Sequence, residues 1–274
     1  MVHIACIQMK AEPEREESLK KLEYLLKQAA RQNVRIACFP ELTVDQFFPQ
    51  YYHEEKYFSL SEPIDGPLIQ HFQELAKTYN MALIPNFYEK GKSPHTYYDT
   101  SPVIDAQGHL LGSQRMMHIA EDPTEDEKFY YTPGDTGYNV FSLEDLTVGI
   151  AICYDRHFPE HIRILTLKRV DIIFVPTATT GLHRQAWKVE AQASAIVNGI
   201  FIAHANKVGV EGKLEFFGNS IVVNPRGDII VEASETEEEV ILADIDTALI
   251  NEVRKEWPFL RDRRPYTYKE LTSL

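Results

Sequence analysis

Short apolar strands alternate with amphipathic helices in two separate parts of the chain, and this order constrains the fold more than any other feature. In the first part, an alternating apolar segment at residues 3–9 is followed by leucines and alanines at helical spacing between Leu19 and Ala30. The apolar segment RIACF at residues 35–39 then indicates a buried strand. The first part therefore predicts a β–α–β unit.

The second part has the same order of elements. The apolar run LTVGIAICY at residues 146–154 precedes a helix predicted at 159–169 and the strand DIIFVP at 171–176. Two such runs are typical of sheets covered by helices. Because no Ser/Gly-rich linker separates them, we expect one domain over residues 1–274. Further elements are predicted as follows: helices at 67–79 and 182–198, strands at 81–88, 98–105, 200–205 and 240–245, and two short strands within 218–233.

Charge and cysteine content exclude several classes of protein. The net charge is −13, which repels phosphate backbones and anionic lipid, so we expect neither a nucleic-acid nor a membrane partner. The N-terminus has no signal-peptide pattern, and no apolar run approaches the ~20 residues of a membrane span. Cys6, Cys38 and Cys153 are too few and too scattered for a disulfide framework or a zinc site. A cytoplasmic protein without a metal or cofactor is predicted.

Two reactive side chains follow apolar strands, where α/β folds place ligand sites. Glu41 comes directly after IACFP, and by itself it is as easily a cap of the next segment. A lone cysteine on an apolar strand is more often an inert core residue. Cys153, however, is followed by the polar segment YDRHFPE and a helix, a setting that favours the thiolate. Cys6 and Cys38 lack this setting and are predicted to be core residues.

Motifs along nearly the whole chain resemble the nitrilase superfamily of carbon–nitrogen hydrolases. They are IACIQM, FPEL, EKFYYTPGD, VGIAICYDRHFPE, HANKVG, FFGNSIVVNPRGDII and FLRDRRPYTY, in this order. The resemblance implies an α/β fold, a single four-layer α-β-β-α sandwich, which assembles as a homodimer or higher homo-oligomer. It also implies a Glu–Lys–Cys triad in which Glu41 is the general base and Cys153 the nucleophile, with Glu127 as a second glutamate that orients the site.

The lysine of this triad is replaced. The family's Tyr-Arg-Lys-x-His-Ile stretch aligns with QRMMHI at residues 114–119, and this alignment places Met116 in the lysine position between the matching Arg115 and His118. Three explanations stay open: an engineered replacement, a natural subfamily in which Arg115 or a water takes over, and a natural relative without catalysis. Losing one oxyanion donor typically costs about 10²–10³ in rate.

The remaining site residues concern the oxyanion and the substrate. The resemblance assigns the backbone N–H of Tyr154 to the oxyanion, and it assigns Arg156 and His118 to substrate or oxyanion binding. Arg156 favours an acidic substrate because a guanidinium matches a carboxylate, but a structural ion pair with Asp155, Glu160 or another carboxylate is equally compatible. The C-terminal FLRDRRP instead resembles enzymes of the N-carbamoylputrescine branch, which take a cationic substrate.

The predicted function is cysteine-dependent hydrolysis of a linear amide or an N-carbamoyl amine or amino acid, through a thioester intermediate. The predicted partner is thus a small molecule. Two alternatives remain, namely a catalytically inactive binding protein that keeps the pocket and a nitrilase that acts on a nitrile. The helix after Cys153 carries Ile162, Ile164, Leu165 and Leu167 on more than one side, which favours burial between two copies.

Overall fold

The secondary structure follows the predicted alternation of strands and helices. The computed structural model describes residues 1–121 and 123–273, without the side chain of Leu182. The strands are β1 Val2–Gln8, β2 Ile36–Cys38, β3 Ala82–Ile84, β4 Phe87–Lys90, β5 Tyr97–Ile104, β6 Leu110–Arg115, β7 Val140–Leu143, β8 Leu146–Ile150, β9 Ile172–Thr177, β10 Phe201–Asn206, β11 Val208–Glu211, β12 Leu214–Phe217, β13 Ile221–Val223, β14 Ile229–Glu232 and β15 Glu239–Ile245. The helices are α1 Arg15–Arg31, α2 Pro67–Tyr79, α3 Glu127–Tyr130, α4 Pro159–Leu167, α5 Arg184–Asn198 and α6 Thr247–Glu256.

Two larger sheets and a two-stranded ribbon contain these strands. The first sheet has the order β15-β1-β2-β3-β5-β4, with β6 beside β5, and the second has the order β14-β13-β10-β9-β8-β7. The ribbon consists of β11 and β12. Within the first sheet β1, β2 and β3 are parallel, and within the second β8, β9 and β10 are parallel. The two predicted β–α–β runs thus form the parallel centres of the two sheets.

The central strands carry apolar residues on both faces because both faces of each sheet are buried, and successive residues contact opposite faces. In β1, Ile4 and Cys6 contact the cluster between the two sheets, whereas Ala5 and Ile7 pack against α1 and α2. In β9, Ile172 and Phe174 belong to the cluster between the sheets, and Ile173 and Val175 pack against α4 and α5. The layers therefore run helix, sheet, sheet, helix, and the predicted α-β-β-α sandwich is confirmed.

Two predicted strands have other bounds in the structure. The strand predicted at 81–88 is divided into β3 and β4, because Pro85 has no N–H for the ladder and the next residue, Asn86, bonds the loop after Glu41 instead. The strand predicted at 146–154 ends at Ile150, and Cys153 begins a short 3₁₀ turn with a positive φ of 40°. Strands β7, β11 and β12 and helices α3 and α6 were not predicted. Among the described residues, no helix combines the length and the apolar character needed to cross a membrane.

Candidate active site

The predicted triad residues meet where parallel strands of both sheets end. Glu41 follows β2 of the first sheet, Cys153 follows β8 of the second, and Thr177 is the last residue of β9. The backbone N–H of Ala178, just beyond β9, donates to Oε2 of Glu41 at 2.9 Å. The structure therefore brings the predicted base and the predicted nucleophile together across the two sheets.

Glu41 is fully buried, and its carboxyl group lies close enough to the Cys153 thiol and the carboxyl group of Asp99 for both to act on its titration. Burial, followed by the negative charge of Glu127, raises the pKa of Glu41 to about 8, while the neighbouring Asp99 and Cys153 oppose this rise. A carboxyl group that titrates near neutral pH can both accept and return a proton. Glu41 thus has the properties that a general base in this position requires.

Cys153 has a left-handed backbone conformation, which non-glycine residues adopt at a cost that the surrounding structure must offset. Its Sγ accepts a hydrogen bond from Oγ1 of Thr177 at 3.2 Å and lies 3.7 Å from Nη1 of Arg156. Burial and the charge of Glu41 raise the pKa of the thiol well above its ordinary value, although Arg156 lowers it. The expectation of a favoured thiolate is therefore wrong for the resting protein, and the thiol needs a base.

Arg156 is also buried, and its contacts are within the protein. Its Nη1 donates to the carbonyl oxygen of Cys153 at 2.8 Å and to Oγ1 of Thr177 at 3.4 Å, and its Nε lies 3.8 Å from Oε2 of Glu190. The carboxylate beside it is thus Glu190, rather than Asp155 or Glu160. The guanidinium lies against the turn that carries Cys153.

Met116 is fully buried in the cluster between the sheets, to which Cys153 also belongs. Its N–H donates to the carbonyl oxygen of Asp99 at 2.9 Å, so it lies beside the strand β5 that carries this acid. The adjacent Arg115 bonds Glu89 and Asp135 and stacks on Tyr98 at 3.7 Å. These contacts engage the Arg115 guanidinium, so the geometry gives no support to Arg115 as a replacement for the lysine.

Asp99 and Asn86 are site residues that the sequence reasoning missed. Both are buried. The side-chain NH₂ of Asn86 donates to Oδ1 of Asp99 and to Oγ of Ser101 at 3.1 Å. The side-chain oxygen of Asn86 accepts the N–H of Leu42 at 2.7 Å. Burial, followed by the charge and the hydrogen bond of Glu41, raises the pKa of Asp99 well above its ordinary value. The polar triplet DTS within the apolar strand β5 was the available signal.

His118 lies against Asp155, which belongs to the turn that begins at Cys153. Its Nδ1 lies 2.7 Å from Oδ1 of Asp155, whose carboxylate also accepts the N–H groups of Met117 and His118. The ring of His118 stacks on Phe158 with centroids 3.7 Å apart. Although burial opposes it, hydrogen bonds from His118 and His161 hold the pKa of Asp155 below its ordinary value. His118 thus fixes the segment after Met116.

The cluster of His118, Asp155 and His161 is the one group of candidate metal-binding side chains among the described residues. Its donor atoms lie within 4.8 Å of one another. Nε2 of His161 bonds the carbonyl oxygen of Ile150 at 3.0 Å, and its Nδ1 lies 3.4 Å from Asp155. The hydrogen bond of His118 to Asp155 and the close approach of His161 account for the cluster as a brace of the turn at residues 153–157.

A cavity of about 150 Å³ opens onto Cys153. Glu121, Glu125 and Glu127 line it, as do Tyr154 and Arg156, and the remaining lining residues are Ala120, His157, Ala178, Thr179 and His183. Glu127 is buried, and its Oε2 accepts the N–H of Ala120 at 3.0 Å. The structure thus brings Glu127, Tyr154 and Arg156 to the same cavity as Cys153. The described lining does not include His118 or Met116.

Lys207 and Glu211 form a second buried set that the sequence reasoning missed. Nζ of Lys207 donates to Oε1 of Glu211 at 2.8 Å and to the carbonyl oxygens of Leu42 and Asp45, both at 3.1 Å. Oε2 of Glu211 accepts the N–H of Phe47 at 2.7 Å. This pair therefore fixes the loop that follows Glu41. The lysine of HANKVG was the available signal.

The fold and this constellation define a carbon–nitrogen hydrolase. The chain belongs to the carbon–nitrogen hydrolase family, whose pattern matches residues 3–255. A crystal structure of a carbon–nitrogen hydrolase from Helicobacter pylori G27 superposes with a TM-score of 0.94 at 31% sequence identity, over 98% of each chain. The predicted membership in the nitrilase superfamily is confirmed.

Relatives with assigned activities are similar over the full length. The N-carbamoylputrescine amidase of Oryza sativa subsp. japonica is 33% identical, with 100% of this chain and 95% of the relative covered. The citrullinase of Francisella tularensis subsp. tularensis is 30% identical, with 98% of both chains covered. The nitrilase of Pyrococcus abyssi is 31% identical, with 93% of both covered. The family thus includes enzymes named for different carbon–nitrogen substrates.

Proposed function

We propose that this hydrolase cleaves a linear amide or an N-carbamoyl amine through a thioester on Cys153, with Glu41 as the general base. One observation carries the proposal: the adjacent residues Thr177 and Ala178 bond the thiol of Cys153 and the buried carboxyl group of Glu41, respectively, and the thiol faces the cavity. The raised pKa of Glu41 supports a proton-accepting role near neutral pH.

In the proposed reaction, Sγ of Cys153 attacks the carbonyl carbon while its proton passes to Glu41. The oxyanion accepts the backbone N–H of Tyr154, and Met116 offers no donor. Collapse of the tetrahedral intermediate breaks the carbon–nitrogen bond, and Glu41 returns the proton to the departing nitrogen. Water then attacks the thioester, with Glu41 again taking the proton, and the thiol is regenerated when the acid leaves.

Charge at the cavity favours an N-carbamoyl amine with a cationic group over one with a carboxylate. Glu121, Glu125 and Glu127 line the cavity, whereas the guanidinium of Arg156 bonds the Cys153 carbonyl and Thr177. Relatives named N-carbamoylputrescine amidase are consistent with this choice. An acidic lining attracts a cation and repels a carboxylate.

The test is ammonia release from a matched pair of substrates, an N-carbamoyl diamine and an N-carbamoyl amino acid of equal chain length. We expect faster turnover of the diamine, loss of turnover in Cys153→Ala and Glu41→Gln, and retention in the control Cys38→Ala. In E121Q/E125Q, the KM for the diamine should rise several-fold with kcat unchanged. Binding of both compounds without turnover would instead support the inactive binding protein, and turnover of nitriles alone would support a nitrilase.

The predictions of a cytoplasmic location and of a homodimer stay as proposals. In α4, Ile162 and Leu165 are buried and Ile164 is half-buried, while Leu167 is exposed. Val197 on the neighbouring α5 is exposed as well. We propose that a second copy covers this side, and a monomer by light scattering at micromolar concentration would contradict it.

A further inference from the structure

Glu41 and Asp99 form a buried pair of carboxyl groups with one uncommitted oxygen on each side. Oε2 of Glu41 accepts the N–H of Ala178, and Oδ1 of Asp99 accepts the Asn86 amide. If both side chains were ionised, Oε1 of Glu41 and Oδ2 of Asp99 would each lack a hydrogen-bond donor among the described residues. The two side chains are nevertheless close enough to share a hydrogen bond. A single proton between them satisfies both oxygens.

The surroundings oppose two negative charges at this place. The charges that act most strongly on the pair are negative, and Met116 lies beside Asp99 where the family pattern has a lysine. Burial raises the pKa of both carboxyl groups. The titratable groups that act on the pair are Cys153, Glu127, Glu125, Asp155 and Tyr131.

We propose that Asp99 is a positioning residue that keeps one proton and donates it in a hydrogen bond to Glu41, so that the pair carries a single negative charge when Glu41 acts as the base. The inference rests on the proposed function, because it takes Glu41 as the base. Asp99 keeps its proton throughout, and the proton of the Cys153 thiol passes to Glu41. The hydroxyl of Asp99 thereby gives Glu41 a donor in a site without the lysine.

The first experiment detects the proton directly. Infrared difference spectra report the C=O stretch of a protonated carboxylic acid, and at about pH 9 Glu41 is ionised because its pKa is about 8. We expect one protonated band to persist at that pH in the wild type and to be absent in Asp99→Asn. The control is Glu89→Gln, which removes another buried carboxyl group, one on the neighbouring strand that pairs with Arg115, and it should leave the band in place. A band that persists in Asp99→Asn would overturn the proposal.

The second experiment separates positioning from mere packing. Asp99→Ala removes the donor to Glu41, so the acidic limb of kcat/KM should move up by about one pH unit, a loss of roughly tenfold below the limb. Asp99→Asn keeps a donor and should restore the limb. A uniform loss at every pH, with the limb unmoved in Asp99→Ala, would show a purely structural role and contradict the proposal.

The infrared measurement does not require the protein to turn over a substrate. A wild-type protein that turns over no substrate would contradict the proposed function, yet the band at about pH 9 would still decide whether Asp99 holds the proton. In that case the rate of Cys153 alkylation against pH replaces kcat/KM as the second measurement. Near-ultraviolet circular dichroism of each variant confirms that it is folded.

Discussion

Nη1 of Arg156 lies 2.8 Å from the carbonyl oxygen of Cys153 and 3.7 Å from its Sγ, so this arginine bonds the turn that carries the thiol. The sequence pattern was compatible with two partners for Arg156, a carboxylate of the substrate or a carboxylate of the protein in an ion pair. In the structure, the guanidinium is the positive charge that lowers the pKa of the thiol, against burial and Glu41, which raise it. Arg156 therefore acts on the proposed nucleophile from within the protein.

Replacing Arg156 by Met should slow alkylation of Cys153 by iodoacetamide at neutral pH by roughly tenfold, which corresponds to one unit of thiol pKa. Arg156→Lys keeps a charge and should lose less. Arg163→Met is the matched control, because Arg163 is a half-buried arginine of the following helix α4 and donates to the carbonyl oxygen of Val197. Equal rates in Arg156→Met and wild type would show that the guanidinium does not act on the thiol.

Restoring the family lysine with Met116→Lys should place an ammonium beside Asp99 and Glu41. The new donor should raise turnover by about 10²-fold, because it supplies an oxyanion contact that Met116 lacks. It should also move the acidic limb of kcat/KM to lower pH, since a nearby cation favours the ionised carboxyl group. Steady-state kinetics against pH measure both effects. Unchanged kinetics would mean that residue 116 lies outside the site, and lower turnover would mean that the site works only without a lysine.

The raised pKa of Glu41 makes stability depend on pH. Between about pH 4.5 and pH 8, the folded protein holds a proton that unfolded Glu41 has released, so this group's contribution to the free energy of unfolding falls as the pH rises. Each pH unit in that range is worth about 1.4 kcal/mol. Glu41→Gln should therefore gain stability relative to wild type between about pH 5 and pH 8 in urea unfolding. The control Glu74→Gln, which changes an exposed glutamate, should show no such gain. If the stability of Glu41→Gln changed with pH in the same way as that of the wild type, the raised pKa would be contradicted.

Lys207 should matter for folding because its ammonium is buried against Glu211. Lys207→Met leaves that carboxylate without its cation and should lower the free energy of unfolding by about 3–5 kcal/mol. The double variant Lys207→Met/Glu211→Gln should lose less, because no uncompensated charge remains. Urea unfolding of the wild type, Lys207→Met, Glu211→Gln and the double variant measures the difference. A loss in the double variant as large as the sum of both single losses would argue against direct coupling of the pair.

The layers of the fold could be predicted because strands that are covered on both faces are apolar on both faces, and this pattern is visible in the sequence. The helix at Pro67–Tyr79 was predicted with its observed ends, since Gly66 and Pro67 mark its start and Asn80, with a left-handed conformation, marks its end. Helix α6 was missed although Asp246 accepts the N–H of Ala248 at its N-terminus, a capping signal present in the sequence. Short strands such as β7 offered too few residues for a period to be measured.

The partners in the site were harder to predict than its centre. Glu41 and Cys153 stand out because each follows an apolar strand. Asp99 lies inside a strand, and its role in the site depends on its contact with Glu41. Glu41 is 58 residues away in the sequence, and the pairing of strands in the first sheet brings the two residues together. Thr177 bonds the thiol for the same reason, because β8 and β9 are parallel neighbours. Such contacts follow from strand order, which periodicity does not reveal.

The thioester on Cys153 is the central claim, and acid-quenched intact-mass spectrometry during turnover of an N-carbamoyl diamine tests it most directly. We predict a covalent adduct of the carbamoyl or acyl group, located on Cys153 by peptide mapping, absent in Cys153→Ala and retained in Cys38→Ala. Hydrolysis that continues in Cys153→Ala, or an adduct on Cys6 or Cys38, would contradict it.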